Sequence, residues 1–174
     1  MSVNAVLAQG ARGLAPAPFG RNNASMQETI PTPAPIPDGY TLIDWTRGFG
    51  TVAGPFYEKK GPGRSYARAF RVEPHHANGM GNAHGGMLLT FADMAFGHVV
   101  SAEKAMWWVT VRLSCDFLSS ARQGDWVEGN ATILSMQDDL FSIRGRVWVG
   151  DRTILTGQGL FKAIAPRDLE ANPR

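Results

Sequence analysis

The chain contains only one cysteine, Cys115, among its 174 residues, and it has no long block of charge of one sign. A single cysteine excludes a disulfide framework within the chain and fits a reducing compartment, so a cytoplasmic protein is expected. The net charge is +2, and the longest basic run is the pair Lys59-Lys60. Binding to nucleic acid is therefore not expected, because it requires a basic stripe or patch.

A hydrophobic run of membrane-spanning length is also missing. The one strongly apolar run, residues 87–102, is shorter than the ~20 residues that a helical span requires, and it contains Asp93 and His98. Residues 1–20 lack the charged flank and apolar core of a secretory signal. The sequence therefore predicts a soluble protein with no membrane partner.

The remaining composition is that of one globular domain, with 44% hydrophobic residues and enough length to bury a core. Residues 1–39 are rich in proline and alanine, and every second residue from Pro31 to Pro37 is proline. This composition predicts an extended surface tail, with a subunit-bridging arm as the alternative. The domain is predicted over residues 40–166, and residues 167–174 are predicted to be a polar C-terminal tail.

One long helix and about six strands are predicted within the domain. The helix covers residues 85–104 and is apolar nearly all round, which is typical of a buried helix. Strands are predicted by alternating polarity and turn residues at 50–59, 65–73, 107–118, 126–136, 140–149 and 152–161. Tight turns imply antiparallel pairing. The predicted fold class is therefore α+β, with a long central helix wrapped by a curved antiparallel sheet.

Two local patterns make this fold prediction more specific. The strand at 107–118 alternates in polarity, so one face is predicted to be buried and the other, which includes Thr110, to be polar. The predicted buried set comprises Val109, Val111, Leu113, Cys115 and Phe117. Glycines on the inward side of the later strands predict a close approach of the helix. These glycines are Gly129, Gly145, Gly157 and Gly159.

The segment that leads into the helix carries a recognisable series: Asn78, Gly81, the triplet His84-Gly85-Gly86, and Asp93 two turns into the helix. With the strand order, this series resembles the PaaI-type (phenylacetic acid degradation) acyl-CoA thioesterases over about residues 40–164. The resemblance implies a hotdog fold. Residues 117–125 also resemble a loop of that family, which often carries Arg-Pro where this chain has Ser119-Ser120.

The resemblance implies hydrolysis of an acyl- or aryl-CoA thioester, with coenzyme A as part of the substrate and no other cofactor. It makes the Gly85 N–H, at the positive start of the helix, the oxyanion donor, and Asp93 the base or nucleophile. The eight residues between them span on the order of 12 Å, too far for both to act on one carbonyl. The resemblance resolves this with a homodimer whose active sites are shared between subunits, and it implies a homotetramer of two such dimers.

Three of these roles have structural alternatives that the sequence leaves open. The Gly85-Gly86 pair is either open to a substrate carbonyl or simply permits a tight turn. Asp93 is either catalytic or a buried carboxylate satisfied by backbone N–H groups or by an arginine such as Arg112. Asn78 either positions the water or the thioester oxygen, as the family spacing implies, or forms an Asx turn.

Thr110 matches the place where the family carries a Ser or Thr that helps to orient the attacking water, and otherwise it is a solvent-facing strand residue. The resemblance gives His84 a structural role in tying down the loop rather than that of a general base. His98, on the apolar helix, is expected to be a satisfied core or interface residue. No metal site is predicted, because His75-His76 and His84 lack Cys or acidic residues at ligand spacing.

The phosphates of coenzyme A require arginine or lysine at the surface. The candidates are Arg122, Arg144, Arg146 and Lys162, although the default interpretation of each is a solvated strand charge. Two other functions remain open. A hotdog hydratase or dehydratase requires a catalytic histidine paired with an acid in a different motif, and a non-catalytic binder of acyl-CoA or an acyl carrier does not require Asp93.

Overall fold

The computed structural model describes residues 34–166 of the chain. The elements in chain order are β1 (Thr41–Leu42), α1 (Phe49–Ala53), β2 (Tyr57–Lys60), β3 (Tyr66–Arg71), α2 (Gly85–Lys104), β4 (Met106–Phe117), β5 (Trp126–Gln137), β6 (Leu140–Val149) and β7 (Arg152–Pro166). A short 3-10 turn, Pro74–His76, precedes α2. Of the two predicted tails, residues 1–33 and 167–174 lie outside the described part of the chain.

The seven strands form one antiparallel sheet in the order β1-β2-β3-β5-β6-β7-β4. Helix α2 packs against β4, β5, β6 and β7. The turns of the β5–β6 and β6–β7 hairpins contain Asp138 and Gly150, whose φ values of 54° and 55° suit tight hairpin turns. This architecture confirms the predicted α+β class, and the sheet has seven strands rather than about six because the two-residue β1 pairs with β2.

Helix α2 has the bounds that the sequence predicts, and much of its surface is buried. Its buried residues are Leu88, Phe91, Ala92, Ala95, Phe96, Gly97, Val100 and Ser101. The helix ends at Lys104, and the C-cap Ala105 is in the left-handed conformation, with its N–H donating to the Ser101 carbonyl at 2.9 Å. Within residues 34–166, no helix combines the length and the apolar character needed to cross a bilayer.

Three of the four predicted glycines allow rings of α2 to lie directly on the backbone of the sheet. A Cβ atom at Gly145 would lie 2.3 Å from the Phe96 ring, and one at Gly129 would lie 2.8 Å from the Phe91 ring. Neither position therefore accepts any side chain unless the helix moves. Gly159 is the exception, because the three atoms nearest to its Cβ position belong to Phe161 of β7 and Arg112 of β4 and none belongs to α2.

The predicted strand at residues 50–59 is wrong in its first half. Residues Phe49–Ala53 form the short helix α1, which ends where the Gly54 N–H donates to the Gly50 carbonyl at 3.0 Å. The strand begins only after Pro55, at Tyr57. The physical reason is that proline has no N–H for the ladder, so it precedes the strand instead of lying inside it.

The predicted alternation along β4 is also wrong in part. Among the described residues β4 pairs only with β7, and its register shifts between Thr110 and Arg112. The extra residue, Val111, is 54% exposed, and Val109 and Phe117 are 44% and 49% exposed. A bulge of this kind inverts the two-residue period on one side of it, so Thr110 turns towards α2. Two members of the predicted buried set do pack against the core: Leu113 and Cys115.

A buried polar cluster joins α2 to β2 and β3. The Glu58 and Arg68 side chains form an ion pair at 3.3 Å, and both residues are more than nine-tenths buried. The His98 ring lies between them, with Nδ1 at 2.9 Å from the guanidinium and Nε2 at 3.0 Å from the carboxylate. Because a guanidinium only donates, Nδ1 accepts and Nε2 carries the proton. Arg68 also donates to the Met94 carbonyl of α2 at 3.2 Å.

The glycine contacts predict a specific sensitivity to an added methyl group. Gly145→Ala is expected to lower the free energy of unfolding by about 1–3 kcal/mol, because the new Cβ overpacks the Phe96 ring. Gly79→Ala is the matched control, since a Cβ there meets nothing within 4 Å, and it should leave stability nearly unchanged. Urea unfolding of both variants measures the difference. Equal stability of the two would contradict this account of the helix–sheet contact.

Candidate active site

The first turn of α2 presents two backbone donors without an acceptor among residues 34–166, the N–H groups of Gly85 and Met87. His84 is the N-cap, and its Nδ1 accepts the Gly86 N–H at 2.9 Å. The Gly85 N–H precedes any intrahelical partner, and no acceptor for it exists within residues 34–166. The helix dipole makes this end positive. The site therefore offers the Gly85 N–H to an oxygen that develops negative charge.

The loop before the helix is built by the side chain of Asn78. Its Oδ1 accepts the N–H groups of Met80 at 2.9 Å and Asn82 at 3.3 Å, which is the Asx-turn arrangement. The loop pairs with residues 119–125, since the Ala83 N–H donates to the Ala121 carbonyl at 2.7 Å. The Oδ1 atom of Asn78 is therefore occupied by hydrogen bonds within the loop, which is the Asx-turn alternative named from the sequence.

Asp93 and Thr110 are brought together across the α2–β4 contact. The Thr110 hydroxyl donates to Asp93 Oδ1 at 2.6 Å, a short distance typical of a bond to a carboxylate. Asp93 is half-buried and Thr110 is exposed. Among the described residues no cation forms an ion pair with Asp93, including the sequence-suggested Arg112. The pair thus presents a carboxylate fixed by one hydroxyl.

One residue beside the helix start was missed by the sequence analysis. The ring of Phe117 lies 3.7 Å from where a Cβ of Gly85 would be, and Phe117 is 49% exposed. It therefore forms an apolar wall next to the free Gly85 N–H. It was read as core because it alternates with Leu113 and Cys115, and it is exposed because it is the last residue of β4.

Cys115 lies on the helix-facing side of β4, in surroundings that disfavour its thiolate. Burial, followed by the carboxylates of Asp116 and Asp93, raises the pKa of its thiol to about 11. The reactive form of a cysteine is the thiolate, so this thiol stays protonated near neutral pH. Asp93 is accordingly the better placed group for attack or proton transfer.

The sequence-predicted basic residues are scattered. Arg122 lies in the loop that pairs with the segment before α2. Arg144 and Arg146 flank Gly145, which faces α2, so their side chains point to the opposite side of the sheet. Lys162, on β7, forms an ion pair at 3.3 Å with Asp139 in the turn after β5. Of these four, only Arg122 lies beside the candidate site.

A long helix packed on a seven-stranded antiparallel sheet, with an Asp–Thr pair between helix and edge strand, defines the chain as a hotdog-fold protein. The "Thioesterase superfamily" model matches residues 80–156. The Pseudomonas aeruginosa protein named "Putative esterase PA0474" is 30% identical over 128 residues, which make up 72% of this chain and 96% of that protein. The chain belongs to the thioesterase superfamily, which confirms the resemblance seen in the sequence.

Solved structures show the same fold. The E. coli PaaI protein from the phenylacetic acid degradation operon is similar with a TM-score of 0.55 and 20% identity, over 59% of this chain and 74% of that one. A hypothetical thioesterase protein from Streptococcus pneumoniae, solved with coenzyme A, has a TM-score of 0.54 and 18% identity, over 59% and 80% of the two chains.

The capping geometry of His84 generates a prediction about stability. His84→Ala is expected to lower the free energy of unfolding by about 1 kcal/mol, because the Gly86 N–H loses its acceptor. His84→Asn should retain wild-type stability, since asparagine is a favoured N-cap residue. Chemical denaturation of both variants measures this. If asparagine destabilises as much as alanine does, the ring acts through packing and not as a cap.

Proposed function

We propose that the protein is an acyl-CoA thioesterase, which hydrolyses the thioester of an acyl- or aryl-CoA to the free acid and coenzyme A. The observation that carries the proposal is the Asp93 carboxylate, which the Thr110 hydroxyl holds at 2.6 Å and which has no ion-pair partner within residues 34–166. Such a group serves as a general base for water or as a nucleophile. Membership of the thioesterase superfamily supports the reaction class.

The second requirement of the reaction is a donor for the oxyanion. In this proposal the thioester oxygen accepts a hydrogen bond from the Gly85 N–H. The helix dipole adds to the positive potential at this end of α2 and so stabilises the negative charge that develops on the oxygen. Because neither Gly85 nor Gly86 carries a side chain, the thioester has room to approach the helix start. The Phe117 ring borders the same place. Asn78 and His84 hold the loop and the helix start in position through their hydrogen bonds.

Both groups act on one carbonyl only if a second copy of the chain takes part. Gly85 and Asp93 are eight residues apart on α2, on the order of 12 Å along the axis. The edge strand β4 carries exposed apolar side chains at Trp107, Val109 and Val111, which suit pairing with a second copy. We therefore propose a homodimer in which each site combines Gly85 of one subunit with Asp93 of the other, and a homotetramer built from two dimers.

The role proposed for Asp93 predicts a large loss of activity without loss of fold. Asp93→Asn is expected to reduce kcat by about 10²- to 10⁴-fold, because the carboxamide neither accepts a proton nor attacks the thioester. The measurement is thiol release from a panel of acyl- and aryl-CoA esters. Glu103→Gln, the same chemical change on the last turn of α2, is the matched control and should keep wild-type activity.

Two results would count against the proposal in different ways. If the wild type releases no thiol from any ester of the panel, the enzyme is not a thioesterase, and a binding role remains. If Asp93→Asn is as active as the wild type, the reaction stands and the assignment of Asp93 fails.

The shared site also predicts that assembly and activity are lost together. Val111→Glu should yield monomers without activity, because charges on both copies of a paired edge repel and remain unpaired. Val52→Glu, the same change at the 71% exposed position on α1, should leave both properties intact. Light scattering after size exclusion gives the mass, beside the thiol assay. An active monomeric wild type would refute the shared site.

A further inference from the structure

A cleft of about 450 Å³ opens between β3, β5 and the last turns of α2. It exists because the sheet divides at this place. β3 pairs with β5 only from Trp126 to Gly129, whereas β5 continues to Gln137 and pairs over its further length with β6 alone. Within residues 34–166, no strand therefore covers the other edge of β5 beyond Gly129. The volume lies in the range of small-molecule sites.

The floor of the cleft is largely apolar, and its one ring is fixed. The floor consists of Tyr66, Val99, Ala131, Ile133 and Met136. Tyr66 is 7% exposed, and its hydroxyl donates to the Ala95 carbonyl of α2 at 2.6 Å. Burial raises the pKa of this hydroxyl, so it remains a neutral donor. A ligand therefore meets an apolar surface whose central ring does not have to be ordered on binding.

The rim of the cleft carries two cations and one anion. Arg64 reaches from the β2–β3 turn to the end of α2, where its Nη1 donates to the Glu103 carboxylate at 2.7 Å and to the Glu103 carbonyl at 2.8 Å. Lys104 is exposed and has no ion-pair partner within residues 34–166. Because Glu103 neutralises Arg64, the ammonium group of Lys104 leaves the rim with one net positive charge.

The negative end of the α2 dipole lies at the same place and offsets this charge only in part. The Ser101 carbonyl accepts the Ala105 N–H at 2.9 Å, and the Glu103 carbonyl accepts Arg64. Two of the last carbonyls of the helix are therefore already satisfied. The balance of charge at the rim favours an anionic group, and the floor favours a hydrocarbon part beside it.

We propose that this cleft binds a carboxylate that carries an apolar chain or ring, with the apolar part on the floor and the carboxylate at Lys104. Asn130 and Thr132 also border the cleft, and their side chains form no hydrogen bond within residues 34–166. They supply amide and hydroxyl donors for the second carboxylate oxygen. An apolar cation would be repelled by Lys104, and a neutral ligand would leave the ammonium group unused.

The cleft is separate from Asp93. Lys104 follows Asp93 by eleven residues on α2, on the order of 16 Å along the axis, and β6 and β7 lie between β5 and β4 in the sheet. The inference goes beyond the proposed function, because binding here requires no cleavage. Only the source of the ligand rests on the proposed function, since the proposed reaction releases acids of this class.

Calorimetry with octanoate tests the charge, and octanamide, which has the same shape without the charge, is the matched probe. The wild type is expected to bind octanoate about fivefold more tightly than octanamide, because only the carboxylate pairs with Lys104. Lys104→Ala should remove this preference, and high salt should reduce it. Lys162→Ala removes an exposed lysine that does not line the cleft, and it should preserve the preference.

Met136→Ala tests the floor, and Leu134→Ala is its matched control. Both residues lie on β5 and are 49% and 50% exposed, so neither substitution threatens the fold, but only Met136 lines the cleft. Met136→Ala is expected to weaken octanoate and octanamide alike, about threefold, because apolar contact is lost and the charge remains. Leu134→Ala should leave both affinities unchanged.

The proposal is refuted if the wild type does not bind octanoate, if octanamide binds as tightly, or if Lys104→Ala or Met136→Ala binds octanoate as the wild type does. A change of octanoate affinity in Asp93→Asn without one in Lys104→Ala also refutes it, because the ligand then lies at the thioester site. A wild type that binds octanoate through Lys104 yet cleaves no thioester overturns the proposed reaction and leaves this cleft standing.

Discussion

The contact between the rings of α2 and bare backbone of the sheet is the constraint on which the rest of the structure depends. Phe96 lies on Gly145 and Phe91 on Gly129, where even a methyl group would collide. On the β4 side, the absent side chain of Gly97 leaves room for the indole of Trp108. The helix is thus held closer to the strands than ordinary side chains would allow, and only at that separation does Asp93 reach a hydroxyl of β4.

The buried polar cluster determines which way the helix faces. His98 and Met94 are four residues apart, so they lie on one side of α2, where Arg68 and Glu58 contact them. Asp93 precedes Met94 by one residue and is turned by about 100° from that side. A rotation of the helix would break buried, charge-assisted hydrogen bonds, which is costly. The cluster and the glycine contacts together orient the carboxylate towards Thr110.

The sequence predicted the features that depend on local pattern and missed those that depend on pairing. Helix α2, the hairpins of the sheet and the glycine contacts follow from periodicity and turn residues. The residues at the helix start follow from a motif. The helix α1, the polar cluster and the outward turn of Val111 do not, because each arises from contacts between distant segments. For the same reason, Phe117 joined the candidate site only in three dimensions.

The bulge in β4 links the geometry of the site to the proposed assembly. One extra residue, Val111, reverses the direction of the side chains on one side of it. Without it, Thr110 would point away from α2 and Asp93 would lose its hydrogen-bond donor. The same extra residue exposes Val111 beside Val109 on β4, the edge strand of the sheet within residues 34–166, where the proposed second copy would pair. If the dimer is the active form, a single insertion therefore orients the acid and creates part of the surface that brings the partner's Gly85 to it.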